Sequence, residues 1–302
     1  MIKNHPKIKE FKFTLNRIFT NPSAIIGFSL LLFFVVVAIF APQLAPPNTK
    51  SHDPYIVPHE GFSATPKQPS AEHIMGTTSG QYDIFYGVVW GTRTAFRVGL
   101  QVVAIAALIG VMLGVIAGFY GGLVDEIIMR FVDIVFSVPL LVLAMAIVVA
   151  FGQGIEYVIW ALILVEWRNY VRVMRASILT LRDQDFIHAA KVMGVSDIKI
   201  MLRHIIPNGI YPVMVIAFMD IGSLVITASF LSFLGLGAPT GYADWGSMVA
   251  QARNYIVGPT GEMFKYWHTI IFPGGCIILF VLAWNLIGDA LRDAFDPKMR
   301  RQ

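Results

Sequence analysis

Charge is what this sequence of 302 residues has least of, with Asp, Glu, Lys and Arg together making up 14%. A water-soluble domain carries charge on about a quarter of its residues, so that class is excluded. The 56% of hydrophobic residues and the mean hydropathy of +0.66 indicate an integral membrane protein. Cysteine is nearly absent, and the single Cys276 excludes an intrachain disulfide. No G-x-x-x-x-G-K-S/T phosphate loop occurs, so the chain does not bind ATP by that device. Membrane hydrolase signals fail too. Ser29 in Gly27-Phe28-Ser29-Leu30 lacks the following glycine of a nucleophile elbow and, even with His268 as a distant partner, has no acid or oxyanion donor to complete a site. His59-Glu60 opens a zinc-protease pattern, but Ser63 stands where the second histidine belongs. The irregular spacing of His52, His59 and His73 fits solvated loop histidines better than a metal set.

Long apolar runs are what the chain does have. Six are long enough to cross about 30 Å of hydrocarbon: Ala24 to Ala41, Phe96 to Tyr120, Ile127 to Phe151, Tyr157 to Ala176, Gly209 to Leu234 and Thr269 to Ile287. Each is continuous rather than alternating, so helices are expected and an outer-membrane barrel is not. The first run follows Lys3, Lys7, Lys9, Lys12 and Arg17 like a secretory signal, but it is too long and ends in Ala-Pro-Gln-Leu-Ala-Pro-Pro, which reads as a retained anchor. Six spans leave both termini on one side. That side collects 17 of the Lys and Arg residues and the other six, so the positive-inside rule puts both termini in the cytoplasm. The same bias accounts for the net charge of +4 without nucleic acid.

The expected organisation is a cytoplasmic tail (1–23), an anchor helix (24–41), an extracytoplasmic segment (42–94), a five-helix core (95–290) with a cytoplasmic loop at 177–208, and a C-terminal tail (291–302). The outer segment is too long for a tight connection and is either folded or draped on the membrane. Gly110, Gly114 and Gly118 recur every four residues, which opens one helix face to close approach by another. Acids inside a membrane are expensive and count as functional candidates. Asp220 stands halfway along the fifth run and is the candidate for lining a polar path. Asp133 has Arg130 one turn before it, which fits a place at the cytoplasmic interface, and Glu166 lies beside Arg168 near a span end.

The segment from Phe186 to Asn208 breaks the apolar pattern. Phe186, Ala189, Ala190 and Met193 fall at i, i+3, i+4 and i+7, Gly194 interrupts, and Ile198, Met201, Leu202 and Ile205 repeat the spacing. This predicts two short helices with a corner, Gly194 ending the first, Ser196 capping the second and Pro207 marking a break before the fifth run. The ordinary reading of such a pair is a helix hairpin resting under lipid headgroups; the other is a docking surface for a soluble protein.

These residues resemble the membrane subunits of bacterial and archaeal ABC importers, within them the permeases of the oligopeptide/dipeptide/nickel group. The segment is similar to that superfamily's Glu-Ala-Ala loop, with Ala189, Ala190, Gly194 and Pro207 in register and His188 where Glu is usual. The runs Gly121-Gly122-Leu123-Val124-Asp125-Glu126, Leu231-Ser232-Phe233-Leu234-Gly235-Leu236-Gly237 with Trp245-Gly246, and Asn285-Leu286-Ile287-Gly288-Asp289 resemble the peptide group. Gln81-Tyr82-Asp83 stands where that group often has Gly-Arg-Asp, and Ala228 where many members have an acid. The resemblance implies an all-α type I importer domain in the cytoplasmic membrane of a prokaryote and no catalysis in this chain. It implies a second homologous permease, two cytoplasmic ATP-binding subunits that hold ATP and Mg, and an external solute-binding protein. His188, Ala189, Ala190, Gly194 and Pro207 would couple to the ATPases. Peptides are the implied cargo, with oligosaccharides or nickel as alternatives.

Overall fold

The computed structural model describes residues 21–47, 53–255 and 264–295. The basic N-terminal residues, Lys50, His52, Lys298, Arg300 and Arg301 lie outside them. The described residues are helical, with isolated β-bridges as the only extended pairing among them. Helix α1 spans Pro22–Leu44. Asn21 caps it by accepting from the Ser23 amide at 3.0 Å, and Pro22 at the first position loses no intrahelical bond.

Helix α2 (Ile84–Tyr120) begins twelve residues before the expected Phe96. Its 37 residues extend about 55 Å, well beyond the hydrocarbon thickness. The added turns carry Tyr86 and Trp90, buried by the preceding segment, which is folded rather than draped, and Thr94, buried against Ala243. Trp90 Nε1 donates to the Ala45 carbonyl at 2.9 Å, Tyr86 Oη to Pro54 at 2.7 Å and Thr94 Oγ1 to Ala243 at 2.7 Å. Main-chain bonds from Val57 to Gly241 and from Ala243 to Tyr55, both 2.8 Å, tie the segment to residues 241–243.

The third apolar run is not one helix. It forms α3 (Gly122–Phe136) and α4 (Leu140–Phe151), bent by 85°. Pro139 cannot donate to a continuing ladder and pushes Val138 out of the helical region, while Ser137 Oγ donates to the Ile134 carbonyl at 2.7 Å. Helix α5 (Ile155–Leu181) follows. The hairpin consists of α6 (Asp185–Val192) and α7 (Asp197–Ile200), and α7 runs into a π-helical turn at Met201–Ile205. Then come α8 (Ile206–Gly209), α9 (Tyr211–Phe233), α10 (Trp245–Ala252) and α11 (His268–Phe295). By length and apolarity α1, α2, α9 and α11 can cross a membrane, and the bent pair adds a fifth span if counted as one. Helix α5 is not among them because it carries Glu156, Glu166, Arg168, Arg172 and Arg175.

The glycine stripe receives α5. A Cβ on Gly110 would lie 2.3 Å from Tyr170 Cβ, one on Gly114 2.8 Å from Met174 Cβ and one on Gly118 2.7 Å from Ile178 Cβ. The partner residues are themselves four apart, so the two helices meet along matched stripes. One core gathers Phe34, Trp245, Phe280 and Trp284 towards the start of α2, and a second gathers Phe119, Tyr170, Met174 and Ile178 at its far end. The hairpin packs into the second.

Candidate functional site

The hairpin is held by one face and leaves the other bare. Ile187, Ala190, Ile200, Met201 and Ile205 are buried against Phe119, Val132 and Ile178. Phe186, Val192, Met193, Ile198 and Leu202 are exposed, Val192 by 88% and Met193 by 76%. The apolar spacing in the sequence therefore divides between two faces. Ala190, Met201 and Ile205 are the seat; Phe186, Met193, Ile198 and Leu202 form an outward patch, joined by Val192, which lies outside the spacing pattern.

The corner forms at Gly194. Its φ of +75° is the left-handed conformation that closes α6, and the Val195 amide bonds back to the Ala190 carbonyl at 3.1 Å. Ser196 occupies the cap position of α7 in extended geometry but makes no side-chain cap bond. His188 and Ala189 are exposed beside the patch, Ala190 is buried, and Gly194 and Pro207 are exposed. Pro207 does not open a loop. It sits in the first turn of α8, where its missing donor costs least, and the π turn before it absorbs the interruption while the backbone stays helical.

The polar residues of α5 form a second assembly. Arg175 donates from Nε and Nη2 to both carboxylate oxygens of Asp125, each at 2.5 Å, and Arg172 pairs with Asp133 at 2.6 Å. Asp133 does not pair with Arg130, the base one turn before it. Arg130 points to Glu126 at 3.7 Å instead, because Asp133 faces α5. Arg168 is buried, lies 4.3 Å above the Phe136 ring and donates from Nη1 to the carbonyls of Val135 and Val138, which the bend leaves without helical partners. Helix α5 thus ties itself to α3 and to the break after it. Residues 168, 172 and 175 share one helix face by spacing, and that was the signal in the sequence for this contact.

Asp125 and Arg175 are 17% and 29% exposed. Replacing Arg175 by Ala removes two charge-assisted bonds and strands the carboxylate, and is expected to cost about 2 kcal/mol. Thermal unfolding in nanodiscs should fall by several degrees and partly recover in Arg175→Ala/Asp125→Ala, since removing both partners leaves nothing stranded. Equal melting of all three proteins would refute the pairing.

Glu166 is not at a span end beside Arg168. It lies mid-helix, 6% exposed, and accepts from Asn169 Nδ2 at 2.7 Å. Asp220 approaches from α9, near enough to act electrostatically on Glu166 and on Tyr170. Asp220 Oδ2 and the Tyr170 hydroxyl make no hydrogen bond of standard geometry within the chain. The three groups make a polar centre inside the bundle, between α5 and α9. Ser29 of the hydrolase alternative lies on α1, remote in sequence from this centre.

The all-helical arrangement is that of ABC importer membrane domains. It superposes on a chain of the inward-facing MetNI methionine ABC transporter with a TM-score of 0.55 at 17% identity, covering 70% of this chain and 98% of that one. Residues 110–301 match the model for the binding-protein-dependent transport system inner membrane component, and residues 11–63 match the N-terminal TM domain of oligopeptide transport permease C. The dipeptide transport system permease protein DppC of Alkalihalophilus pseudofirmus is 36% identical over 93% of this chain and 87% of its own length. A probable D,D-dipeptide permease, DdpC of Escherichia coli, is 37% identical over 92% and 88%. The glutathione permease GsiD of Escherichia coli is 39% identical over 89% and 84%. The chain belongs to the family of binding-protein-dependent transport system inner membrane components, and it is a multi-pass inner-membrane permease.

Proposed function

We propose that the chain is one permease subunit of an ATP-driven importer of small peptides. It crosses the membrane six times as a type I domain, with α5 and the bent α3–α4 pair each counting as a span and both termini cytoplasmic. It works with a second homologous permease, two cytoplasmic ATP-binding subunits and an external solute-binding protein. The observation that carries the coupling role is the hairpin itself: one face is built into the core while five large apolar side chains face outward. A lipid-resting hairpin would not need its second face to be anchored through Ile187, Ile200 and Ile205 to helix ends that must move. His188, Ala189, Ala190, Gly194 and Pro207 shape and flank this contact, with ATP and Mg held by the partner. Nucleotide-driven closure transmits force only if it favours one arrangement of the hairpin over another.

Peptide cargo is supported by relatives named for dipeptides and glutathione at 36% to 39% identity. Asp220, with Glu166 and Tyr170, is the candidate polar lining of the path. The test is ATP-dependent uptake of labelled dipeptides, glutathione, an oligosaccharide and nickel by proteoliposomes holding the whole complex and its binding protein. Dipeptide or glutathione uptake is expected. Uptake of only the sugar or the metal would replace the cargo while leaving the permease role intact.

A further inference from the structure

Near the start of α2, a small cavity lies where α2 and α9 meet the Asp244-Trp245 entry into α10. Its volume is about 10 Å³, room for one atom the size of a water oxygen, and every residue of its wall is buried. Gly91, Ala95 and Ala228 leave the space, and Thr94, Ser229 and Asp244 give the wall its polar side chains. The hydrogen bonds fix what these present. Thr94 Oγ1 donates its proton to the Ala243 carbonyl at 2.7 Å, so only lone pairs remain on that oxygen. Trp245 Nε1 donates to the Val88 carbonyl at 3.1 Å, and the indole has no donor left for the cavity. Ser229 is 8% exposed, and its hydroxyl makes no hydrogen bond to any described residue. Asp244 caps α10 with Oδ2, which accepts from the Ser247 amide at 2.8 Å. The wall is therefore one of oxygen acceptors.

The charge in that wall has no counterpart. Asp244 is 6% exposed, and no Lys, Arg or His pairs with it among the described residues. The two arginines on either side of Thr94 are engaged elsewhere: Arg93 donates to the Ala38 and Ile39 carbonyls of α1 at 2.5 and 3.3 Å, and Arg97 pairs with Glu156 at 2.5 Å. The Gly246 and Ser247 amides at the start of α10 supply partial charge only. Buried carboxylates are otherwise ion-paired or bound to a metal. A water in the cavity would donate to the acceptors but leave the charge uncompensated. One carboxylate balances one positive charge, and among the described residues no three His, Cys, Asp or Glu side chains converge, so a divalent or transition metal is not what this wall fits.

We propose that the cavity holds one alkali cation, Na⁺ or K⁺, against the Asp244 carboxylate, with Thr94 Oγ1 and Ser229 Oγ as further oxygen ligands. The ligands come from α2, α9 and the residue before α10. Binding therefore favours the arrangement in which these three helices are together, and their separation would dismantle the site. The site is independent of both the cargo and the hairpin's role.

The measurement is hydrogen–deuterium exchange of residues 241–252 in the complete complex in nanodiscs at pH 8, in chloride salts of Na⁺, K⁺ and N-methyl-D-glucamine at equal ionic strength. N-methyl-D-glucamine is too large to enter. Exchange should be slowed several-fold by Na⁺ or K⁺ relative to that salt, and whichever acts at the lower concentration is the ion the site selects. Asp244→Asn keeps an oxygen to cap α10 but removes the charge, and should abolish the difference between salts. Ser229→Ala should keep the difference and raise the ion concentration for half the effect by at least about tenfold, which decides the matter if the Asn variant does not assemble. Equal exchange in all three salts, the result expected of a neutral Asp244 beside a water, would overturn the proposal. So would a salt difference that survives in Asp244→Asn, or an unshifted titration in Ser229→Ala. Peptide uptake is not read, so the failure of this site and of the cargo reading are separable.

Discussion

Replacing Gly110 by Val should abolish accumulation of the folded permease. A Cβ at this position meets Tyr170 Cβ at 2.3 Å, the Trp167 carbonyl oxygen at 2.7 Å and the Val171 amide nitrogen at 3.0 Å. None of these is the end of a flexible side chain, so no rotamer change relieves the clash. Helices α2 and α5 would have to separate by more than 1 Å, since carbon atoms rest about 3.5 to 4.0 Å apart. Separation at Gly110 also lifts Gly114 from Met174 and Gly118 from Ile178, because all three lie on one seam. Overpacking at a single core site costs about 1 to 3 kcal/mol, and a displaced seam places this variant at or above that upper limit.

The seam also predicts an order. Gly110→Ala should be more damaging than Gly209→Ala, whose nearest neighbour is the Leu181 Cδ1 tip at 3.1 Å, and Gly275→Ala, with nothing within 4 Å, should be neutral. Size-exclusion profiles and thermal unfolding of the detergent-extracted proteins would show this. A Gly110→Val protein that melts like the parent would mean that the two helices do not meet along this stripe.

Sequence periodicity identified the apolar runs but misplaced what happens at their ends. The start of α2 was hidden because Tyr86 and Trp90 are buried by a folded outer segment rather than by lipid, and hydropathy does not distinguish the two. The break between α3 and α4 was legible at Ser137-Val138-Pro139, yet the unbroken hydropathy across it argued for one span. What stabilises the bend, the Arg168 guanidinium on the exposed carbonyls, comes from a helix thirty residues away in sequence. In the sequence the basic residue one turn before Asp133 is Arg130. The cross-helix pair with Arg172 wins through shorter geometry that only the packing supplies. In the hairpin, the corner at Gly194 followed from residue type. The division of the apolar residues between two faces did not, since a period of 3.6 marks a stripe and cannot say which of two neighbours covers each part of it.

That division makes the second large effect specific. Under the coupling role proposed for the hairpin, Met193→Asp/Ile198→Asp should eliminate ATP-dependent uptake and retention of the ATP-binding subunits while leaving the permease folded. The two side chains are 76% and 65% exposed, so in the isolated chain their replacement removes almost no packing. In the complex each would be desolvated, and full burial of a large apolar side chain contributes about 1.5 to 3 kcal/mol. Losing both weakens association by about 3 to 6 kcal/mol, or roughly two to four orders of magnitude, before the added cost of burying two carboxylates. Ala190 cannot serve this purpose, because it is 4% exposed and belongs to the seat; a bulky residue there would unseat the hairpin from its own core. Gly194 is equally unsuited. Space around it is open, but its φ of +75° makes any side chain there a test of backbone strain rather than of contact. Copurification of the subunits with the tagged permease, read beside its thermal unfolding, separates the two effects. A double variant that keeps its ATP-binding subunits and its uptake would return the hairpin to the surface of the lipid.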